Sequence, residues 1–430
     1  MTGLWIFAAV SFLGFMAYAF QLWAVRAALK TASGNDAGSP ASGLFVPPIS
    51  ILKPLKGLDD NLFDNLESFC NLDYPEYEII FSFQNRNDQA FKVAGKIRDK
   101  YPHRDISLVV EPCNAGLNPK VNNLIPAYRR SKHNLVLISD SNVMVGEDYL
   151  KEIVKHMENP EVGLVSNVIK GVGSHSMGSV LENLHLNSFI LGSVCFLDRF
   201  MGMPCVIGKS MLMRKSDLDA IGGFDAVKDF LAEDYVIGQR MHQSGRKVVL
   251  SNYAIHNVNS SWGLDRFINR HTRWGKLRWQ IGGVKYLSEL LCNPVFMAFL
   301  PVVLWGPSRA TLCLVLSASL IKIAGDYYIG TRVLSGVATD AGRIDGTVPR
   351  MSCYLLVPLK DILIGGLWFV PLISSTVAWR GNRYRIGKDS QLFPLASGLQ
   401  VRTLFSPAML LQKAITGTLR MAYSIRERSA

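Results

Sequence analysis

Two kinds of hydrophobic pattern alternate along the chain. Unbroken apolar runs stand at both ends, and short apolar runs spaced by amphipathic segments fill the middle. Leu4 to Val25 carries no charge, and roughly 20 apolar residues are enough to cross a bilayer. No basic residue precedes this run, while Arg26 and Lys30 follow it. That asymmetry argues against a cleaved signal peptide and for an anchor whose C-terminal end is cytoplasmic. Thr31 to Pro48 is rich in Gly, Ser, Ala and Pro and reads as a linker.

From Ile49 the pattern changes. Ile49–Leu52, Ile79–Phe83, Ile106–Val110 and Leu135–Ser139 are strand candidates. Between them Leu62, Leu66 and Phe69, then Ala90, Ala94 and Ile97, recur with helical spacing. Alternation of this kind predicts an α/β domain with a mostly parallel sheet covered by helices. Ligands of such sheets collect at the carboxyl ends of the strands.

Ser261 to Gly282 interleaves Trp262, Phe267, Trp274 and Trp279 with Arg266, Arg270, Arg273, Lys276 and Arg278. A basic helix rich in aromatic residues is expected to lie at a membrane surface, the other reading being a solvated basic face over a core. Pro294–Trp305 and Thr311–Ala324 are short for full spans. Ser352–Trp379 is longer but holds Lys360, Asp361 and two prolines, so it is expected to re-enter, with its ionisable residues paired or facing a cavity. Arg380, Arg383, Arg385 and Lys388 then argue for a cytoplasmic end. The expected division is an anchor (1–30), a linker (31–48), a cytoplasmic catalytic domain (49–260), an interfacial helix (261–290), C-terminal membrane segments (291–379) and a basic cytoplasmic tail (380–430).

Composition narrows the function. The 430 residues are 49% hydrophobic, with a net charge of +12. The basic balance comes without any nucleic-acid motif, so nucleic acid is excluded as a partner. Anionic lipid headgroups and a nucleotide diphosphate suit it better. The seven scattered cysteines contain no Cys-x-x-Cys and read as reduced, packed residues.

Candidate chemistry gathers at the ends of elements. Glu233 and Asp234 follow the Gly222-Gly223-Phe224-Asp225 turn and open a run to Gln243 that Ser244-Gly245 closes as a helix C-cap would. Asp234 therefore falls in a first helical turn, where the backbone dipole favours a carboxylate that can act as a general base. Asp88 and Asp140 each follow a predicted strand. Asn118-Pro119-Lys120 leads from a Gly-containing loop into a helix, where Lys120 can meet a pyrophosphate. Asp140-Ser141-Asn142 can hold a divalent cation against a diphosphate, although Asn142 offers only a neutral oxygen. Three carboxylates followed by Arg270-His271-Thr272-Arg273-Trp274 suit sugar transfer from a nucleotide.

This constellation resembles the ceramide glucosyltransferases, membrane-anchored inverting enzymes with a GT-A fold. The resemblance runs from the anchor through Arg385 and is carried by Leu52-Lys53-Pro54-Leu55-Lys56-Gly57, Leu72-Asp73-Tyr74-Pro75, Asn118-Pro119-Lys120-Val121-Asn122-Asn123-Leu124, Leu212-Met213-Arg214-Lys215, Ala232-Glu233-Asp234-Tyr235, Arg273-Trp274 and Gly381-Asn382-Arg383-Tyr384-Arg385. It implies UDP-glucose as donor, ceramide as acceptor and a β-linked product, while the Asp140 carboxylate is what calls for Mg²⁺ or Mn²⁺ as cofactor. Asp88, Asp140 and Asp234 look like the family's three aspartates, and Arg270-x-x-Arg273-Trp274 like its (Gln/Arg)-x-x-Arg-Trp motif. The implied roles are catalysis for Asp234, Arg270, Arg273 and Trp274, donor binding for Lys53, Asp88, Lys120 and Asp140, and metal binding for Asp140. The chain departs from animal members at Asn85-Arg86-Asn87, across Leu186 to Pro204 and at Gly208-Lys209-Ser210-Met211. Another UDP-sugar or another lipid, such as a hopanoid or diacylglycerol, is the alternative within enzymes; an inactive lipid-binding scaffold is the alternative outside them.

Overall fold

A computed structural model describes residues 2–30, 45–203, 205–334, 349–379 and 382–395. Most of the expected linker and the tail beyond 395 lie outside the described residues.

Eight strands form one sheet: β1 (Ile49–Pro54), β2 (Tyr77–Phe83), β3 (Asp105–Val110), β4 (Leu135–Ser139), β5 (Val143–Met144), β6 (Val162–Val172), β7 (Ser210–Arg214) and β8 (Lys247–Val258). Their order is β3-β2-β1-β4-β7-β6-β8-β5. The half from β3 to β4 is parallel, as expected. Beyond it β7 runs antiparallel to both β4 and β6, so the sheet is mixed rather than mostly parallel. β1, β2 and β4 are buried on both faces, which is why they read as continuous apolar runs rather than alternating ones. Period-two geometry still sorts them. Ile51, Ile79, Phe81 and Leu137 pack on one face with Phe69 and Tyr149, and Leu52, Ile80, Val136 and Ile138 on the other with Leu124 and Ile237.

Around this sheet stand four helices long and apolar enough to cross a membrane: Gly3–Leu29, Met177–Met201, Arg309–Val333 and Met351–Ile373. Arg309–Val333 is longer than its expected apolar stretch. Met177–Met201, assigned above to the catalytic domain, is a second surprise; Leu191 and Cys195 pack against Ala24 and Val25 of the N-terminal helix and against Val168 of β6. A 25-residue helix between two apolar partners carries no polar stripe to mark it from sequence. A bend also falls between Leu264–Leu291 and Pro294–Trp305, which meet at 72°.

The charges expected to pair within the apolar helices do so. Lys360 Nζ lies 3.0 Å from Asp326 Oδ2, 3.1 Å from Asp361 Oδ1 and 3.1 Å from Ser188 Oγ. Lys322 pairs with Asp326, and Tyr18 of the N-terminal helix donates to Asp326 Oδ1 at 2.6 Å.

After Ile373 the chain leaves these helices and builds a second sheet from β9 (Thr376–Trp379), β10 (Asn382–Ile386) and β11 (Leu392–Pro394), in the order β11-β10-β9. The end of the expected membrane segment and the start of the expected tail are thus strands. Val377, Tyr384, Ile386 and Leu392 bury an apolar face against Leu231.

Candidate active site

The helix Glu233–Gln243 starts where the sequence places it, with Ser244 as C-cap and Gly245 beyond it at φ +83°. Its start is clamped from two sides. Leu231 N donates to Ser390 O at 2.9 Å and Ala232 N to Ser390 Oγ at 3.2 Å, tying it to the second sheet. Asn118 caps the helix Pro119–Arg130 through Lys120 N at 2.8 Å and Val121 N at 3.2 Å. The same side chain donates to Phe230 O at 2.7 Å and Glu233 Oε2 at 3.0 Å. One asparagine therefore locks two helix starts together.

Asp234 lies on the wall of a cleft at the carboxyl ends of β1 and β4. Its Oδ2 accepts from Gly208 N at 2.7 Å and its Oδ1 from Tyr235 N at 2.8 Å. Burial and the neighbouring Glu233 carboxylate push its pKa up to about 6, against the pull of Lys120 and the two N–H groups. Such a group is ionised at neutral pH yet basic enough to take a proton. A Cβ at Gly208 would stand 2.6 Å from Asp234 Oδ2, so a larger residue there would push the carboxylate out of place.

Asp140 faces Asp234 across the cleft, between two lysines. Lys120 Nζ lies 2.9 Å from Asp140 Oδ1, 2.9 Å from Glu233 Oε1 and 2.8 Å from Gly208 O. Lys209 Nζ lies 3.3 Å from Asp140 Oδ2 and 2.7 Å from Asn142 Oδ1. Burial alone would raise the Asp140 pKa, but the two ammonium groups hold it well below the usual carboxylate range. Burial likewise opposes charge on Lys120, and the carboxylates around it outweigh that and raise its pKa.

The expected metal can be tested against these contacts. Asp140 and Asn142 offer hard oxygen donors of the kind Mg²⁺ and Mn²⁺ prefer. Both, however, face the Lys209 ammonium, and among the described residues no group of three His, Cys, Asp or Glu side chains is placed to hold a metal ion. The residues as arranged do not fit a resident divalent cation; an ion pair stands where Asp140 was expected to bind metal.

The basic helix Leu264–Gly282 closes the opposite wall. Arg266, Arg270, Arg273 and Trp274 line the cleft with Trp262. The Arg270 guanidinium lies 4.2 Å from the Trp274 ring centroid and 5.0 Å from that of Trp262, and Arg266 lies 4.2 Å from Trp262. Trp262 and Phe267 are buried in the protein, so this part of the aromatic face packs on a core.

Two expected donor residues lie off this wall. Lys53 is fully buried, its Nζ 3.1 Å from both Ser139 Oγ and the Asp140 carbonyl and 3.5 Å from the Phe69 ring centroid. It braces the β4 end from beneath, and burial drives its pKa well down. A lysine on a strand inside the sheet cannot snorkel out, which corrects its expected place at the donor. Asp88 caps the helix Gln89–Lys100 through Ala90 N at 2.9 Å and holds Gly57 N at 2.8 Å, both with Oδ1.

Sequence reading missed several residues of the site. Lys56, Asp59, Lys209 and Trp379 line the cleft. Behind it the fully buried Glu182 pairs with Arg270 at 3.3 Å and with His271 at 2.7 Å. A carboxylate within the apolar stretch Met177–Met201 was the available signal, since buried acids need a partner.

The sequence model described as glycosyl transferase family 21 matches residues 4–392. "Ceramide glucosyltransferase 3" of Caenorhabditis elegans is 27% identical over 354 residues, covering 81% of this chain and 75% of that protein. "Ceramide glucosyltransferase 1" of the same organism is 28% identical over 375 residues, covering 82% and 76%. A solved mannosyltransferase, PcManGT from Pyrobaculum calidifontis in complex with GDP-Man and Mn²⁺, aligns over 84% of this chain and 99% of its own at 14% identity and a TM-score of 0.47. With a match spanning nearly all of the described chain, from the N-terminal helix to the second sheet, this protein belongs to glycosyl transferase family 21.

Proposed function

We propose that this protein moves glucose from UDP-glucose to the hydroxyl of ceramide, with inversion, giving β-glucosylceramide. The observation that carries the proposal is Asp234: a carboxylate with a raised pKa, fixed by two backbone N–H groups, facing a basic wall across one cleft. The names of the relatives support the choice of sugar and lipid.

In this reaction the lipid hydroxyl attacks the anomeric carbon. Asp234 takes the hydroxyl proton as the new C–O bond forms, and the bond from the sugar to the β-phosphate breaks on the opposite side. The negative charge then gathers on UDP, where Arg270, Arg273 and Lys120 oppose it from fixed positions. Trp262 and Trp274 hold the Arg270 guanidinium plane and keep water from it. Asp88 keeps Oδ2 for a uridine hydroxyl or base N–H, its other oxygen being used in capping. A divalent cation reaching Asp140 and Asn142 would have to displace Lys209, so no step is assigned to it.

We infer that the cleft opens on the cytoplasmic side of the membrane, on the strength of Arg26 and Lys30 at the end of the first apolar helix and Arg383, Arg385 and Lys388 after the last. The test is lipid analysis by mass spectrometry after incubating purified protein with UDP-glucose and either ceramide or diacylglycerol. Glucosylceramide with matching UDP release is expected. UDP release with diacylglycerol alone would overturn the acceptor.

A further inference from the structure

We propose that Lys209 is the resident cation for the donor diphosphate, standing in the place a divalent metal ion was expected to fill. The inference rests on the nucleotide-donor reading and is independent of the acceptor.

The position follows from strand register. β4 and β7 pair antiparallel with Ser139 opposite Ser210, so the next residues outward, Asp140 and Lys209, face each other where the strands end. Lys209 is therefore held at the carboxyl end of β4 by backbone pairing, not by the chance reach of a surface side chain. Its neighbour Gly208 donates to Asp234 and accepts from Lys120. One loop thus sets both the base and the positive charge opposite it.

Oxygen acceptors meet the Lys209 ammonium, although burial, opposed by Asp140 and joined by Arg270 and Lys120, lowers its pKa. The Lys209 side chain is 12% exposed. Asn142 Nδ2 donates to Asn257 Oδ1 at 2.9 Å, which turns its carbonyl oxygen towards Lys209. A second carboxylate at 142 would favour a doubly charged ion; a neutral amide beside one carboxylate matches a single positive charge. The two lysines also differ in what they have left to give. Among the described residues Lys120 has three partners for its three N–H groups, whereas Lys209 has two, Asp140 and Asn142, which leaves one N–H for a phosphate oxygen. An ammonium can stabilise a departing diphosphate as a point charge without a metal.

The experiment measures UDP and uridine binding by calorimetry on the full-length protein in detergent, with either excess EDTA or Mn²⁺. Wild-type protein is expected to bind UDP within about twofold equally under both conditions. Lys209→Ala should weaken UDP at least tenfold in EDTA while leaving uridine unchanged, and Mn²⁺ should restore part of the loss. Lys209→Arg should keep most of the affinity. Wild-type protein that needs Mn²⁺ to bind UDP would overturn the proposal, whatever the variants do. Equal loss of UDP and uridine in Lys209→Ala would overturn it as well, by making Lys209 a packing residue. Absence of UDP binding in wild-type protein under both conditions would sink the donor reading itself.

Discussion

Two lysine–aspartate clusters in this molecule are built from the same groups and are finished differently. Among the apolar helices, Asp326, Lys322, Lys360 and Asp361 close on one another, and Lys360 and Asp326 are 0% and 2% exposed at their side chains. In the cleft, Asp140, Lys120 and Lys209 form a similar set, yet Asp140 remains 28% exposed and, although Arg266 pairs with Asp59 and Arg270 with Glu182, the basic side chains lining the cleft outnumber its carboxylates. The first cluster is balanced and sealed, so its work is to join the N-terminal helix, through Tyr18, to the later ones. The second has positive charge in excess and an open side, which is what an anionic ligand needs. A buried ion pair alone says little about function. An unbalanced one on an open cleft says more.

The strongest way to break this contrast is at the base. Asp234→Asn keeps the size and the helix position but cannot take a proton, so turnover is expected to fall about 10²–10⁴-fold, with UDP binding retained, as measured by initial rates and calorimetry. A near-normal rate would remove Asp234 from catalysis. In the sealed cluster, Asp326→Asn leaves two buried lysines short of their shared partner and should cost about 3–5 kcal/mol of stability. Thermal unfolding in detergent checks this; a melting curve unchanged from wild type would make the cluster incidental.

Smaller effects sharpen the comparison. Arg273→Lys swaps a planar fork for a point charge and should slow UDP release more than it weakens UDP binding; pre-steady-state kinetics separates the two. Asp234 must be ionised to act, and its pKa stands near 6, so activity should rise with pH through that value and level off above it. Glu233 is one of the groups raising that pKa. Glu233→Gln should therefore move the acid limb to lower pH while costing far less rate than Asp234→Asn. A limb that moves upward would show that Glu233 acts mainly by holding Lys120.

What could be read in advance follows the range over which each signal acts. Ala90, Ala94 and Ile97 mark a buried helical face within one segment, and the strands β1 to β4 announce themselves as apolar runs. Asp234 was legible because a helix start is local. Lys209 was not, because its role comes from β7 entering the sheet antiparallel beside β4, a pairing between residues about seventy positions apart in sequence. Lys53 misled for the opposite reason. It stands in a run that resembles a donor-binding family, but in a strand buried on both faces its ammonium turns to Ser139 and the Asp140 carbonyl. Glu182 lay in plain view in an apolar stretch, and only tertiary packing supplied its partners, Arg270 and His271.

The clasp between Ser390 and the start of the helix bearing Asp234 has a consequence in time. The large sheet is complete once residue 258 has been made, but Trp379 and Ser390 follow the last long apolar helix. Domains generally fold as units during synthesis, so the sheet can form while the later helices are still being made. The growing chain then carries a folded nucleotide-sugar domain without its final wall or clasp. The wall at Trp379 and the clasp at Ser390 can therefore form only after the last long apolar helix has been made.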